Sequence, residues 1–307
     1  LIDSLAITPF LIKVPKEMPA QGAPQQDFKT EINRFEQLLG NLASFRRPFV
    51  FEVAVPHVGE EIHFYIAVPR NLSEVAVKQI QGLWSGASVL PATDDYNIFN
   101  SHGASVAAYF KQKENYAIPL RTYQEIGADT FSSIVGAFAK INEIGEGAAL
   151  QVLSRPAPDA RKRVYGYVAA LKQGVPRKEA LGHKFPFDVA DVSHVLNPEK
   201  EKKQKEEKVI DEEAVKTLEA KISKPIFEVN VRLGASAPSP FQANDILDGL
   251  AAGFSQLASP QRNELKIVKP RNSEKLIRQF IFRAFDDGQA MFLNSEEIAS
   301  FYHLPTA

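Results

Sequence analysis

The sequence contains no cysteine, which excludes disulfide bonds, thiolate metal ligands and cysteine nucleophiles and suits a reducing compartment. It also lacks the motif G-x-x-x-x-G-K-[ST], so the chain as given carries no phosphate-binding P-loop. A signal peptide and an apolar run of membrane-spanning length are missing too. Because the chain starts at Leu1 rather than at a methionine, we expect it to be a fragment of a longer protein.

Residue patterns for catalysis or metal binding are equally scarce. The six histidines show no H-x-x-x-H or H-x-E spacing, and no G-x-S-x-G nucleophile elbow occurs. Gly145-Glu146-Gly147 precedes a predicted strand, whereas a phosphate cradle follows a strand and opens a helix. We therefore predict no catalytic residue, metal ligand, cofactor or small-molecule substrate, and we expect that this chain by itself is not an enzyme.

Length and charge set broad limits on the architecture and on the partners. The 307 residues are 44% hydrophobic and 24% charged, as in ordinary globular proteins, and a chain of this length favours two domains. The formal net charge of −1 argues against a dedicated nucleic-acid-binding protein, which normally has a basic excess. Charge can still be concentrated locally, so this balance does not exclude such binding.

The clearest structural signal is an alternation of apolar residues at 49–55 and again at 62–68, which predicts an antiparallel hairpin. Asp27 is a predicted N-cap, and Asn71 with Glu74 forms a predicted capping box. The elements predicted for this half are, in order, strand 10–14, helix 28–45, strands 49–55 and 62–68, helix 72–83 and strand 87–90. Residues 1–95 are therefore predicted to be a β-α-β-β-α-β, or ferredoxin-like, domain.

A similar order is predicted for the second half, with a charged interruption. Its predicted elements are extended segments 104–111 and 116–120, helix 129–141, strand 148–153, basic helix 159–172, strand 227–233, helix 243–257, strand 280–285 and capped helix 294–302. The run Glu199–Glu213 is almost entirely charged, so we expect an exposed helix or a mobile insertion there.

The predicted fold class is therefore α+β, with two ferredoxin-like (β-α-β-β-α-β) domains whose antiparallel sheets are covered by helices. Residues 1–95 form the first predicted domain. Residues 96–158 and 222–307 form the second, which is discontinuous. Residues 159–221 interrupt it as a basic helix followed by a charged helical insertion or linker.

The best candidate for nucleic-acid contact is the basic segment 161–184. Its cations are Arg161, Lys162, Arg163, Lys172, Arg177, Lys178 and Lys184, with Tyr165 and Tyr167 nearby. A solvated, salt-bridged surface explains the same residues, and we favour that explanation because acidic residues adjoin the cluster. The RNP1 motif that RNA-binding ferredoxin-like sheets need is not present.

Five segments resemble a known family. They are EIHFYIAVP (61–69), DYNIF (95–99), GEGAALQVLSRP (145–156), KPIFEVNVRLGASAP (224–238) and NSEEIASFYHLP (294–305). Together they resemble the region that precedes the motor domain in membrane-anchored HerA-like ATPases. These are the conjugation or type IV secretion-type P-loop ATPases of candidate-phylum bacteria.

The resemblance implies a non-catalytic accessory module of a type IV secretion-like DNA-translocating ATPase. Such a module would pack subunits, position the motor at the inner face of the cell membrane, or contact cargo. Expected partners are a further copy of the chain, a C-terminal ATPase domain in the parent protein and DNA. Contact with the membrane would come only through an N-terminal anchor that this chain does not contain. The alternative is a stand-alone nucleic-acid-binding protein that uses the segment 161–184.

Overall fold

Nine antiparallel strands form one sheet in the described part of the chain. The computed structural model describes residues 7–15, 27–58, 61–92, 96–141, 143–182 and 210–305. The strands are β1 (Ile7–Lys13), β2 (Phe49–Val55), β3 (His63–Pro69), β4 (Ser88–Pro91), β5 (Ala104–Gln112), β6 (Gly147–Pro156), β7 (Ile226–Ala237), β8 (Leu265–Val268) and β9 (Met291–Asn294). Their order is β4-β1-β3-β2-β6-β7-β5-β8, and β9 pairs with β7.

Ten α-helices are described alongside this sheet. They are α1 (Phe28–Ala43), α2 (Ser73–Leu83), α3 (Tyr123–Ile126), α4 (Phe131–Phe138), α5 (Pro158–Lys172), α6 (Arg177–Gly182), α7 (Glu212–Ile222), α8 (Pro240–Ala252), α9 (Glu274–Ile281) and α10 (Ser295–Ala299). An α+β fold is therefore confirmed.

The N-terminal half follows the predicted order of elements, with strands arranged β4-β1-β3-β2. Asp27 caps α1 as predicted, because its side chain accepts a hydrogen bond from the Lys29 N–H. The predicted capping box at Asn71 is wrong. Residues 70–72 form a 3₁₀ turn instead, and α2 starts at Ser73 after Leu72, which makes no side-chain cap.

The C-terminal half differs from the prediction in several elements. The predicted strand 280–285 is wrong, because Leu276 and Phe280 are buried with the four-residue spacing of a helix and belong to α9. Residues 116–120 are not a strand either. Two further strands of this half, β8 and β9, were not predicted, and each has four residues.

The two halves share one sheet, which corrects the expectation of separate sheets. Strand β2 pairs with β6 over seven residues, from Phe49 opposite Ser154 to Val55 opposite Ala148. Each strand would otherwise be the edge of a four-stranded arrangement with unpaired backbone groups. Pairing these two edges satisfies those groups and places the junction in the middle of the sheet.

One face of the sheet carries the main apolar core. Phe35 from α1 and Phe51 from β2 lie with their ring centroids 5.0 Å apart, and Tyr302 lies 5.5 Å from Phe51. Residues of both halves of the sheet belong to the same buried cluster. A core shared in this way couples the stability of the two halves.

Helices α5, α6 and α7 pack around a smaller apolar cluster that includes Val164, Leu171, Ala180 and Leu218. Part of the predicted insertion 159–221 is thus packed helix, with Leu218 fully buried. Most of the charged run 199–213 lies outside the described residues, and its described part, 210–213, is exposed. The division of the chain into domains stays a prediction.

Candidate functional site

The ends of five central strands meet at one end of the sheet, and their loops are hydrogen-bonded to each other. The Gly145 N–H donates to the carbonyl of His57 at 3.0 Å, and the His57 N–H donates to the carbonyl of Asn97 at 3.3 Å. Asn100 adds bonds from its N–H to the Ser236 hydroxyl and from its side chain to the Gly145 carbonyl. These bonds give the loops fixed positions relative to one another.

Two glycines allow this close approach. Gly145 has a φ of +93°, a left-handed conformation that residues with a side chain rarely adopt. A Cβ added at Gly147 would lie 2.5 Å from the carbonyl oxygen of Ile98, which is closer than packed atoms can approach. Loop 143–146 can therefore lie against its neighbours only with glycine at these positions.

Two of these loops and the first turn of α8, which follows β7, carry strongly exposed apolar side chains. Val58 is 78% exposed, Ile144 is 95% exposed and Phe241 is 80% exposed. We refer to these three residues as the tip cluster. Scattered single apolar residues on a surface are ordinary, but three at the same end of one sheet, two of them on hydrogen-bonded loops, are typical of a contact surface for another protein.

Carboxylates lie close in sequence to Val58 and Ile144. The side chain of Glu61 is 85% exposed, and Glu143 is also exposed on the same loop as Ile144. Glu146 is half-buried. Lys140 is an exposed cation four residues before Ile144. The loops of Val58 and Ile144 therefore carry more acidic than basic groups, which disfavours a nucleic-acid backbone as their ligand.

The predicted nucleic-acid contacts on α5 are engaged within the protein. Arg161 donates to the Ile222 carbonyl at 2.9 Å, and Lys162 lies 3.7 Å from Asp159. Lys172 forms a 2.6 Å ion pair with Glu219. These contacts agree with the salt-bridged surface that the sequence analysis favoured.

Arg163 is the most deeply packed of these cations. Its guanidinium lies over the rings of Tyr116 and Phe292, at 5.6 and 5.3 Å from their centroids. Such cation–π packing holds α5 against β9 and against the segment that follows β5. Arg163 is therefore placed as a structural residue rather than as an open contact for a ligand.

Arg177 and Lys178 lie elsewhere, in a cleft of about 1000 Å³ between α6 and the segments 113–118 and 258–264. We refer to it as the cationic cleft. Lys113 and Arg262 also line it, but Lys113 pairs with Glu264 at 2.8 Å and Arg262 pairs with Glu125 at 3.1 Å. Lys184, the last predicted contact, lies outside the described residues.

The floor of the cationic cleft is held by the fully buried Asn263. Its side-chain amide donates to the carbonyls of Glu114, Asn115 and Ile118, at 3.0–3.3 Å. Its side-chain oxygen accepts from the N–H groups of Glu114 and Glu264, both at 2.9 Å. One residue thus fixes two walls of the cleft, and sequence alone gave no signal for it.

The second face of the sheet holds a buried polar network that the sequence analysis also missed. Arg232 is fully buried and donates to Gln289, Asn230, Gln151 and the carbonyls of Gln279 and Ala284. Burial lowers its pKa to about 10, and the charge of Asp286 opposes that effect.

Glu52 closes this network on the β2 side. It accepts from Gln151 at 2.7 Å and from Arg283 at 2.9–3.2 Å. Helix α9 and the segment after it cover these groups, so the polar positions of β2 and β7 are buried rather than exposed. The network has its partners inside the protein, and we assign it to stability rather than to ligand binding.

A second buried ion pair joins α7 to α10. Lys221 and Glu297 are both fully buried, with their charged atoms 2.5 Å apart. Glu297 also accepts from the N–H of Leu120 at 2.9 Å and from the N–H of Asn294 at 2.8 Å. Burial lowers the pKa of Lys221, and the carboxylate of Glu297 opposes this. The cap predicted for helix 294–302 is confirmed, and it is a capping box formed by Asn294 and Glu297.

The fold and these surfaces define an α+β protein built on one antiparallel sheet. Within the described ranges, no group of three or more His, Asp or Glu side chains could hold a metal ion. No helix in the same part of the chain has the length and apolar character that crossing a bilayer requires. The chain belongs to the family described as Domain of unknown function (DUF8128), whose model matches residues 35–307.

Comparisons with individual proteins add little to this family assignment. No curated protein matches the sequence. A crystal structure of a protein described as a candidate chlorite dismutase aligns over 96% of this chain and 98% of its own, with 8% identity and a TM-score of 0.20. A TM-score this low supports no argument about fold or function.

Proposed function

We propose that the chain is a non-catalytic assembly module that acts by binding another protein surface at the tip cluster. The observation that carries this proposal is the exposure of Val58, Ile144 and Phe241, at 78%, 95% and 80%. Val58 and Ile144 lie on loops that are hydrogen-bonded to each other, and Phe241 lies in the first turn of α8. Exposed apolar side chains favour burial against a partner, and a preformed surface loses little conformational entropy on binding. The buried network around Arg232 and the Lys221–Glu297 pair have their partners inside the protein.

The parent protein in this proposal is a HerA-like, type IV secretion-type ATPase. The support is the sequence resemblance of five segments. Three of them, 61–69, 145–156 and 224–238, supply the central strands β3, β6 and β7. In this setting the module lies in the cytoplasm at the inner face of the membrane. There it packs subunits or contacts cargo, while an ATPase domain in the same parent chain hydrolyses ATP.

We also propose that the sheet consists of two ferredoxin-like units joined at β2 and β6. The strand orders β4-β1-β3-β2 and β6-β7-β5-β8 support this, because each places its first and third strands in the middle. The pairing of β2 with β6 places strand ends of both units at the same end of the sheet. The tip cluster takes Val58 from one unit and Ile144 and Phe241 from the other.

The gene that encodes this chain offers the first test. We expect a G-x-x-x-x-G-K-[ST] motif downstream of residue 307 and an apolar span upstream of residue 1. In that parent protein, Ile144→Asp should leave ATP binding intact and reduce the ATPase activity that depends on assembly. A stop codon directly after residue 307 would remove the ATPase proposal, and unchanged assembly in the Ile144→Asp protein would remove the tip cluster from it.

The alternative function is nucleic-acid binding at the cationic cleft. The observation that favours it is the position of Arg177 and Lys178 on the wall of a 1000 Å³ cleft whose other two cations are already paired. Fluorescence anisotropy with a labelled DNA duplex tests it. Binding should weaken steeply with salt and be lost in Arg177→Ala/Lys178→Ala. Arg161→Ala/Lys162→Ala is the matched control, and an equal loss there would contradict a site in the cleft.

A further inference from the structure

A small hollow lies near the tip cluster, on the second face of the sheet. It has a volume of about 220 Å³ and is lined by Tyr96, Asn97, Ile98, Phe99, Phe280, Ile281 and Arg283. Phe99 and Phe280 pack edge to face with their centroids 6.0 Å apart, and Arg283 is bound to Glu52. The hollow is therefore mostly apolar and large enough for one aliphatic or aromatic side chain.

The end of α9 beside this hollow is also apolar and exposed. Ile281 is 48% exposed and Phe282 is 45% exposed. Lys275 and Arg278 precede Phe282 by seven and four residues, so they lie on the same side of the helix and are exposed. We refer to these four residues as the α9 patch. Glu274, which lies 3.8 Å from Arg278, is the acidic group on this side.

The tip cluster and the α9 patch are complementary in shape and charge. The tip cluster protrudes and has Glu61, Glu143 and Glu146 close to it in sequence, whereas the α9 patch borders a hollow and carries cations. The three tips are at least 78% exposed, so they do not fill the hollow of their own molecule. Hydrogen bonds hold the loops of Val58 and Ile144 in place, so a tip side chain that fills the hollow comes from another molecule. The opposite charges beside the two surfaces favour a second copy as that molecule.

We propose that the tip cluster of one copy binds the α9 patch of a second copy, with one apolar tip side chain in the hollow. This inference rests on the proposed role of the tip cluster as a protein-binding surface. Asn97 lines the hollow and also accepts a hydrogen bond from His57, so both surfaces lie close together on one molecule. A two-fold axis then forms both contacts at once and gives a dimer.

Sedimentation velocity on the full 307-residue chain tests this proposal. The wild-type protein should associate reversibly, with a weight-average mass that rises toward that of a dimer as concentration increases. Ile144→Asp in the tip cluster and Phe282→Asp in the α9 patch should each weaken association by about 30-fold or more, as expected for the loss of a central apolar contact. Leu90→Asp is the matched control, since Leu90 is 53% exposed on β4, at the far edge of the sheet.

Mixing the two variants separates this arrangement from other dimers. Each variant alone has lost both contacts of the two-fold dimer, but the mixture keeps one intact tip cluster and one intact α9 patch. Equal amounts should therefore recover a heterodimer. Because the chain contains no cysteine, Ile144→Cys and Phe282→Cys offer a second readout, and oxidation should cross-link the mixture far more than either variant alone.

Three results would overturn the proposal. They are a wild-type protein that stays monomeric at every concentration tested, a Phe282→Asp variant that associates like the wild type, and a mixture that does not recover. If the tip cluster bound a different surface of a second copy, the Phe282→Asp variant would still associate or the mixture would not recover. None of these three results bears on the ATPase proposal, because that proposal depends on the flanking gene and on assembly of the parent protein. The dimer proposal and the ATPase proposal can therefore fail separately.

Discussion

The two faces of the central sheet are stabilised by different chemistry, although the same strands supply both. On one face Phe51 lies among aromatic rings, with Phe35 at 5.0 Å and Tyr302 at 5.5 Å. The next residue, Glu52, points to the other face and binds Arg283 and Gln151. Neighbouring residues on one strand therefore depend on apolar packing and on charge pairing, respectively.

This difference shows how each covering element is positioned. Apolar contacts are non-directional, so the aromatic core can accept small shifts of α1 or of Tyr302. Hydrogen bonds to a buried guanidinium are directional, and Arg232 makes them to two carbonyls at 2.7 and 3.1 Å. The polar face thus fixes the position of α9 and the chain after it, and with it the hollow and the α9 patch.

The largest effect should come from the apolar face. Replacing the fully buried Phe51 in Phe51→Ala removes a ring and leaves a cavity, so the free energy of unfolding should fall by about 3–5 kcal/mol. Urea denaturation followed by circular dichroism measures this. Phe241→Ala removes the same ring from a site that is 80% exposed and is the matched control. An unchanged unfolding curve for Phe51→Ala would show that the aromatic core does not hold the sheet.

A somewhat smaller effect is expected on the polar face. In Glu52→Gln the charge that balances Arg283 is lost, and one amide hydrogen faces the guanidinium. Because Glu52 is fully buried and the side chain of Arg283 is only 10% exposed, the loss should be about 3 kcal/mol.

Glu228→Gln is the matched control for this variant. Glu228 pairs with Arg155 on the same face of the sheet as Glu52. Their side chains are 25% and 39% exposed, respectively, so water can compensate for the lost charge. Equal losses of unfolding free energy in both variants would contradict the view that burial gives the Glu52 pair its importance.

The apolar face was predictable from the sequence, and the polar face was not. Alternation over 49–55 and 62–68 is a signal within one strand, and it correctly predicted β2 and β3. The same rule made Glu52, Asn230 and Arg232 look exposed, since polar residues on alternate positions normally face water. Only the position of α9, which depends on contacts distant in sequence, decides that these groups are buried.

The candidate sites were predictable to a similarly limited extent. The basic segment 161–184 was visible as a charge cluster in the sequence. The partners of Arg161 and Lys172 both lie in α7, which is distant in sequence, so the sequence could not show these contacts. The tip cluster consists of single apolar residues in two loops and in the first turn of α8. No period or spacing marks such residues, and only the meeting of five strand ends brings them together.

A buried histidine at the edge of the apolar face provides a further comparison. The two ring nitrogens of His303 lie 3.0 Å from a carboxylate oxygen of Asp129 and 2.7 Å from the Leu304 carbonyl. The same carboxylate oxygen of Asp129 also accepts from the N–H groups of Phe131 and Ser132, at 2.9 and 3.1 Å. Asp129→Asn should therefore cost about 1.5–2 kcal/mol at pH 7.

The pH dependence of this pair has a defined sign. Burial raises the pKa of Asp129, but hydrogen bonds from His303 and from the N–H groups of Ser132 and Phe131 outweigh it, and the net pKa lies below its usual value. A lowered carboxylate pKa stabilises the folded state above the unfolded pKa of about 3.9, and that stabilisation is lost as the pH falls through the folded value. Urea denaturation from pH 7 to pH 3 should show the difference between wild type and Asp129→Asn shrinking below about pH 4; a constant difference would contradict it.

The smallest effect on stability should come from the tip cluster, which belongs to neither face. Ile144 is 95% exposed, so Ile144→Ser removes almost no buried surface, and the free energy of unfolding should stay within about 0.5 kcal/mol of the wild type. Gly145→Ala is the informative partner variant. It keeps Ile144 but places a side chain at a φ of +93°, which disturbs the hydrogen-bonded loops. If the tip cluster is a preformed binding surface, both variants should lose self-association in sedimentation experiments, while only Gly145→Ala also loses stability. A large loss of stability in Ile144→Ser would instead show that Ile144 is part of the core. That result would contradict the assignment of the tip cluster as an exposed binding surface.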